Sequence, residues 1–135
     1  MQTRCAVKKA RTTIIVVGIL CPYLVRLPRG LDWLAQYTGT EMAAGLEGFM
    51  FISVFNAIAW GSLIALSFLY QRVESLAIPS VLGFGFLAWA HFNLDLRSDA
   101  QASVALVFIP IYASVVIVAG GLLGWFYDRT VASRA

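Results

Sequence analysis

Charged residues are scarce in this chain of 135 residues, of which 13% are charged and 60% hydrophobic, with a mean hydropathy of +0.80. Soluble domains are about 45–50% apolar and about 25% charged. A soluble protein of this size could not bury so much apolar surface, whereas a bilayer replaces water around outward-facing side chains. The shortage of charge therefore excludes a soluble globular protein and predicts one integral membrane domain over residues 1–135.

Cysteine and histidine are also scarce, with Cys5, Cys21 and His91 as their only members. In one helix the two cysteines would lie about 24 Å apart, which is too far for a disulfide. The sequence has no zinc-ligand spacing, phosphate loop, His-Glu-x-x-His or Gly-x-Ser-x-Gly motif. Aromatic residues do not interleave with a run of Lys and Arg, as expected for nucleic-acid binding. We therefore expect no enzyme activity, no metal or cofactor site and no nucleic-acid partner.

Four apolar segments predict an all-α bundle of transmembrane helices, built as two antiparallel hairpins. The segments cover residues 12–27, 47–70, 78–95 and 101–127. The first is shorter than the about 20 residues that a span needs, so we expect Arg11 and Arg26 to extend it by reaching the headgroups. The last is preceded by a capping box at residues 98–101 and contains Pro110, which should kink the helix.

The first segment has an alternative interpretation as a cleaved signal peptide, because a basic start precedes its apolar run. Residues 26–30 read Arg-Leu-Pro-Arg-Gly, which offers no cleavage site of the small-x-small type. We therefore favour an uncleaved signal-anchor that is retained as the first span. Cleavage would leave three spans.

The distribution of positive charge predicts the orientation. Seven Lys and Arg residues fall on the side of the two termini, and three fall on the other side, namely Arg26, Arg29 and Arg97. Because positively charged loops stay in the cytoplasm, both termini should be cytoplasmic, and the C-terminus should remain so even after cleavage. The outer side collects five acidic residues, Asp32, Glu41, Glu47, Asp95 and Asp99.

The outer loop, residues 28–45, is the longest connection. Leu31, Leu34 and Tyr37 recur there at helical spacing, and Gln36 lies off this stripe. The pattern predicts a short helix at the membrane surface. The alternative is an irregular loop held by Trp33.

Small residues recur every fourth position in two predicted spans, as Ala57, Gly61 and Ala65 in the second and as Gly120 and Gly124 in the fourth. Small residues at this spacing let helix backbones approach closely in lipid. We favour packing within the bundle. The alternative is an interface with a partner or with a second copy of the chain.

Polar residues within or beside the spans are the remaining candidates. Asn56 lies near the middle of the second span and needs a hydrogen-bond partner, which we expect on a neighbouring helix. His91 and Asp95 are four residues apart and would share a helix face near the outer surface, with Asp99 just beyond. We expect a histidine paired with a carboxylate beside a tight turn. A solute path at Asn56 and a proton or metal site at His91 are the alternatives.

Residues 98–101, Ser-Asp-Ala-Gln, and residues 108–112, Phe-Ile-Pro-Ile-Tyr, resemble the last helix of small, mostly uncharacterised bacterial multi-pass inner-membrane proteins. The resemblance covers the last third of the chain. It implies a bacterial inner membrane and no activity, and it assigns a role to no residue.

These features together predict a non-enzymatic polytopic inner-membrane protein that acts by binding another protein. One concrete version is an immunity protein that protects against a membrane-acting secreted toxin, because the chain is small, lacks catalytic motifs and has little mass outside the bilayer. The alternatives are a small oligomeric transporter or channel subunit and an accessory subunit of a larger membrane complex.

Overall fold

A computed structural model describes residues 2–38, 46–70, 72–98 and 101–132. Within these residues the chain is all-α and has no strands. Its helices are α1 (Gln2–Leu24), α2 (Leu31–Thr38), α3 (Leu46–Leu66), α4 (Ala77–Asn93) and α5 (Ala102–Ala132). Single turns of 3-10 helix at Leu27–Arg29 and Glu74–Leu76 precede α2 and α4. Glu41, Asp99 and Arg134 lie outside the described residues, as does part of the predicted capping box.

Four stretches are long and apolar enough to cross a membrane: Ala6–Arg29, Leu46–Leu66, Glu74–Asn93 and Ala102–Val131. They overlap most of α1, α3, α4 and α5 and correspond to the four predicted spans. At the level of helix length and composition, the expected all-α multi-pass membrane architecture is confirmed.

The helix bounds differ most from the predicted segments at the start of α1, at the end of α3 and at the end of α5, which runs to Ala132 rather than to residue 127. Helix α1 begins at Gln2 rather than near residue 12, because the intervening residues are rich in Ala, Lys and Arg, which favour helix. The first candidate span is therefore 24 residues long. Helix α3 ends at Leu66 rather than at residue 70. There the Ser67 hydroxyl donates a hydrogen bond to the Ile64 carbonyl at 2.6 Å, within a turn that ends the helix.

The four long helices pack with α1 and α5 each against both α3 and α4. The contact between α3 and α4 themselves is slight. The core between the helices is apolar and includes the fully buried residues Leu63, Leu87, Ala113 and Ile117. The predicted loop helix is present as α2, which contacts α3 and the preceding 3-10 turn.

Two glycines of α4 occupy opposite environments. A Cβ atom at Gly83 would overlap the side chain of Ile117 on α5, whereas a Cβ atom at Gly85 would meet nothing within 4 Å. Glycine in a helix interior is about 1 kcal/mol less favourable than alanine. Close approach of α5 to α4 explains the glycine at position 83, and nothing in the bundle requires the one at position 85.

We predict that Gly83→Leu destabilises the bundle and that the matched variant Gly85→Leu does not. The added side chain at position 83 must displace Ile117, and overpacking of this kind costs about 1–3 kcal/mol. Thermal unfolding in detergent micelles, followed by tryptophan fluorescence, measures the difference. Equal midpoints for the two variants would contradict the packing of α4 on α5 described here.

Candidate functional site

Arg26 follows the end of α1 and is fully buried, with 0% of its surface exposed. Its Nε donates a hydrogen bond to the Trp33 carbonyl at 2.8 Å. Its Nη1 donates to the carbonyls of His91 at 2.9 Å and Leu94 at 2.7 Å. Its Nη2 donates to Gln36 Oε1 at 2.6 Å. The guanidinium therefore joins the end of α1 to α2 and to the end of α4.

The acceptors on α4 are available because that helix stops nearby. Helix α4 ends at Asn93, and Leu94 is extended, with φ −73° and ψ 115°. The last carbonyls of a helix lack intrahelical partners and carry the negative end of its dipole. Arg26 thus supplies both hydrogen bonds and positive charge to the C-terminus of α4.

Gln36 is the junction between Arg26 and the turn that follows α4. Its Oε1 accepts from Arg26 and also from the Leu96 backbone amide at 3.0 Å. Its Nε2 donates to Asp95 Oδ1 at 2.9 Å, and the same carboxylate oxygen accepts from the Arg97 amide at 3.0 Å. Gln36 lies off the apolar stripe of α2, yet it is 1% exposed, because the C-terminal turn of α2 lies against the bundle while Asp32 at the start of α2 stays exposed.

A second line of hydrogen bonds leads from α2 into the bundle. The Tyr37 hydroxyl lies 2.7 Å from His91 Nδ1, and His91 Nε2 lies 3.3 Å from Asn56 Oδ1. Burial raises the pKa of Tyr37 despite the opposing effect of Arg26, so the phenol stays protonated and donates to Nδ1. A neutral imidazole then carries its proton on Nε2 and donates it to Asn56. This line connects α2, α4 and α3.

Aromatic rings lie against the guanidinium groups of Arg26 and of the nearby Arg29. The Arg26 guanidinium lies 3.9 Å from the centroid of the Tyr37 ring. Arg29 is exposed and lies over Trp33 and Phe92, at 4.7 Å and 4.2 Å from their centroids. Cations are attracted to the faces of aromatic rings, more strongly where water is excluded. We name the six residues Arg26, Gln36, Tyr37, Asn56, His91 and Asp95 the outer network, after the outer loop that the sequence predicts over residues 28–45.

The structure brings some predicted polar residues together and separates others. Asn56 and His91 are partners across α3 and α4. His91 and Asp95 do not share a helix face, because α4 ends at Asn93 and Asp95 lies in the following turn. Asp95 is linked to Arg26 through Gln36. Asp99 lies outside the described residues.

The predicted small residues have two different placements. Gly120 and Gly124 face the bundle, since a Cβ atom at Gly120 would lie 3.0 Å from Pro79 Cα and one at Gly124 would overlap the Ser75 carbonyl. Gly61 faces open space, with nothing within 4 Å of the same position. Ala65, one turn further along α3, is exposed.

Sequence reasoning missed the roles of Arg26, Gln36 and Tyr37, since the sequence carries no local signal that joins them to α4. It also missed polar contacts at the opposite end of the bundle. There Arg11 Nε donates to Ser67 Oγ at 2.8 Å, and the Ser75 hydroxyl donates to Asp128 Oδ1 at 2.8 Å. Arg11 and Arg26, which were expected to reach the headgroups, both donate hydrogen bonds to other parts of the protein.

The outer network can hold helices together, and its groups bond chiefly to one another. Tyr37, Asn56 and His91 are each at most 1% exposed, so they have little access to solvent or substrate. Among the residues that the structure describes, no three His, Cys, Asp or Glu side chains are grouped so that they could hold a metal ion. The geometry fits a clamp that fixes α2 on the ends of α1 and α4 and reaches the middle of α3 through Asn56.

We predict that Arg26→Lys lowers the free energy of unfolding by about 3 kcal/mol, because one ammonium cannot reproduce the planar set of four hydrogen bonds. The same substitution at the exposed Arg29 should change stability by less than about 1 kcal/mol. Hydrogen–deuterium exchange should show faster exchange of α2 amides in Arg26→Lys alone. Unchanged protection of α2 in that variant would show that Arg26 does not hold the helix.

Comparison with protein-family models, with curated proteins and with solved structures found no match for this chain. A fold class alone does not define a function. The function is therefore argued from the outer network and from the surfaces that the bundle leaves open.

Proposed function

We propose that this chain is a non-enzymatic multi-pass membrane protein of the bacterial inner membrane that acts by binding another membrane protein. The observation that supports this proposal most is the open position at Gly61 on the outward face of α3. Ala57 and Ala65 lie one turn before and one turn after it. Together these three small residues form a stripe along α3, which we name the α3 notch.

The small side chains of the α3 notch would let a second transmembrane helix approach closely. Lipid tails are as apolar as leucine, so helices associate in a bilayer through close packing, which small residues permit. Val54 and Ile58 beside the notch are 62% and 45% exposed and would provide the ridges that pack around a partner helix. Gly120 and Gly124 have the same spacing, but residues of the bundle itself pack against them. Of the two predicted sets of small residues, the α3 notch is therefore the one available to another chain.

The outer surface around α2 is the second surface suited to a partner. The outer network holds α2 on the bundle, while Leu31 is 77% exposed and Asp32 is also exposed. A rigid surface loses little conformational entropy on binding. The concrete version of the proposal is an immunity protein that meets a membrane-acting toxin here. An accessory subunit of a larger complex would use the same surfaces and would differ in its partner.

A small transporter or channel subunit receives less support from the geometry. That function would use Asn56 and His91 as groups along a solute path. In the structure these two side chains bond to each other in the interior, and the Tyr37 hydroxyl occupies the other imidazole nitrogen.

For the arrangement in the membrane, the proposal includes two antiparallel hairpins with both termini in the cytoplasm. Packing of α1 on α3 and of α4 on α5 supports the hairpins. The excess of Lys and Arg on the side of the termini supports the orientation.

Fusions at the C-terminus test this orientation. We predict that a green fluorescent protein fusion in bacterial cells is fluorescent and that an alkaline phosphatase fusion is inactive, because that phosphatase folds only outside the cytoplasm. A phosphatase fusion within residues 39–45 should be active. The reverse pattern would place the termini outside.

A matched pair of glycine variants tests the α3 notch. We predict that Gly61→Leu abolishes association of the full chain with its partner, or with a second copy, and that Gly85→Leu preserves it. Both glycines face open space, so neither substitution disturbs the bundle, and only the first fills the notch. Mass measurement after purification in mild detergent checks the result, and it also separates a foreign partner from a homo-oligomer. A single-chain mass for the unmodified protein, or an intact complex in Gly61→Leu, would contradict the proposal.

A further inference from the structure

A groove of about 320 Å³ runs between α1 and α4 at the end of the bundle that holds the N-terminus of α1. Its walls are apolar or carry a single hydroxyl, and they include Ala10, Thr13 and Val17 of α1 and Ala77, Ser80 and Phe84 of α4. Ile14 and Leu76 are buried beneath it. The groove therefore offers an apolar strip within two candidate membrane spans.

Two lysines lie where the groove reaches the end of the span. A second depression, formed by Lys8, Lys9, Thr12 and Thr13, meets the groove at Thr13. Lys8 and Lys9 are exposed, and among the residues described here neither ammonium group has a hydrogen bond or ion pair. The hydroxyls of Thr12 and Thr13 are neutral and donate hydrogen bonds to the backbone carbonyls of Lys8 and Lys9. The lysines therefore carry the only charges among the four residues that form this depression.

The size of the groove limits what can fill it. A transmembrane helix with its side chains is about 10–12 Å wide and would not enter a space of this volume. An acyl chain is thin enough to enter. Lys9 and Val17 are eight positions apart, which corresponds to about 12 Å along the helix axis and suits the upper part of such a chain.

The charge at the open end of the groove selects among lipids. Arg72 and Glu74 lie beside the groove residue Val73 and offset each other in charge, so Lys8 and Lys9 set its sign. Basic pockets between transmembrane helices on the cytoplasmic side bind anionic headgroups. We infer that the groove binds one anionic phospholipid, with an acyl chain between α1 and α4 and the phosphate at Lys8 and Lys9.

Native mass spectrometry of the full chain tests this inference, with phosphatidylglycerol and phosphatidylcholine of identical acyl chains as the probes. The unmodified chain should retain one phosphatidylglycerol in preference to phosphatidylcholine. Removing both charges in the double variant Lys8→Gln/Lys9→Gln should lower the affinity for phosphatidylglycerol by about thirtyfold. Ala77→Phe, which fills the groove at an exposed position, should weaken retention of both lipids.

Arg129→Gln is the matched control, because it removes an exposed positive charge from the same end of the bundle but on α5. It should retain phosphatidylglycerol as the unmodified chain does. Equal retention of the two lipids by the unmodified chain would overturn the inference. So would a double lysine variant that keeps the preference, or an equal loss in Arg129→Gln. The inference uses the proposed orientation. Because none of these variants alters the α3 notch, the outcome is independent of the proposed partner binding.

Discussion

The buried guanidinium of Arg26 is the constraint on which the end of the bundle that carries α2 depends. Moving a charge from water into the protein interior carries a free-energy cost of several kcal/mol unless hydrogen bonds replace its hydration. The replacement comes from the Trp33, His91 and Leu94 carbonyls and from Gln36. These acceptors belong to α2 and to the end of α4. Both elements must therefore lie within hydrogen-bond distance of the end of α1.

The rest of the bundle shows the same dependence on polar contacts and close approach. Lipid provides no hydrophobic drive between helices, so packing and hydrogen bonds must set their positions. At the opposite end Arg11 binds Ser67, which joins α1 to the turn after α3. Between the two ends, Gly18 accommodates the Trp60 ring and Gly83 accommodates Ile117. Arginines at the ends and glycines in the middle together fix how α1, α3, α4 and α5 pack.

The sequence predicts the features that are set locally. Apolar segment lengths predict the four spans, and the spacing of Leu31, Leu34 and Tyr37 predicts α2. Helix α1 is longer than expected because hydropathy registers apolar residues and ignores the helix propensity of the basic stretch before them. The sequence singles out Asn56, His91 and Asp95 of the outer network. The part of Arg26 could not be predicted, since this residue bonds to carbonyls 65 and 68 positions away. An arginine at the end of a span fits a headgroup contact equally well, and only the fold decides between them.

The polar side chains in the interior of the bundle bond to one another, and this limits the groups with which the protein can recognise another molecule. Asn56, His91 and Tyr37 are the groups that would give chemical selectivity, and they bond to one another. Within the described part of the chain, recognition from the bilayer would then rest on close packing, as proposed at the α3 notch, and on headgroup charge, as proposed at Lys8 and Lys9. Close packing and attraction to charged headgroups both remain effective between a helix and its surroundings in lipid. A binding protein is the function that such a division of polar and apolar surfaces supports best.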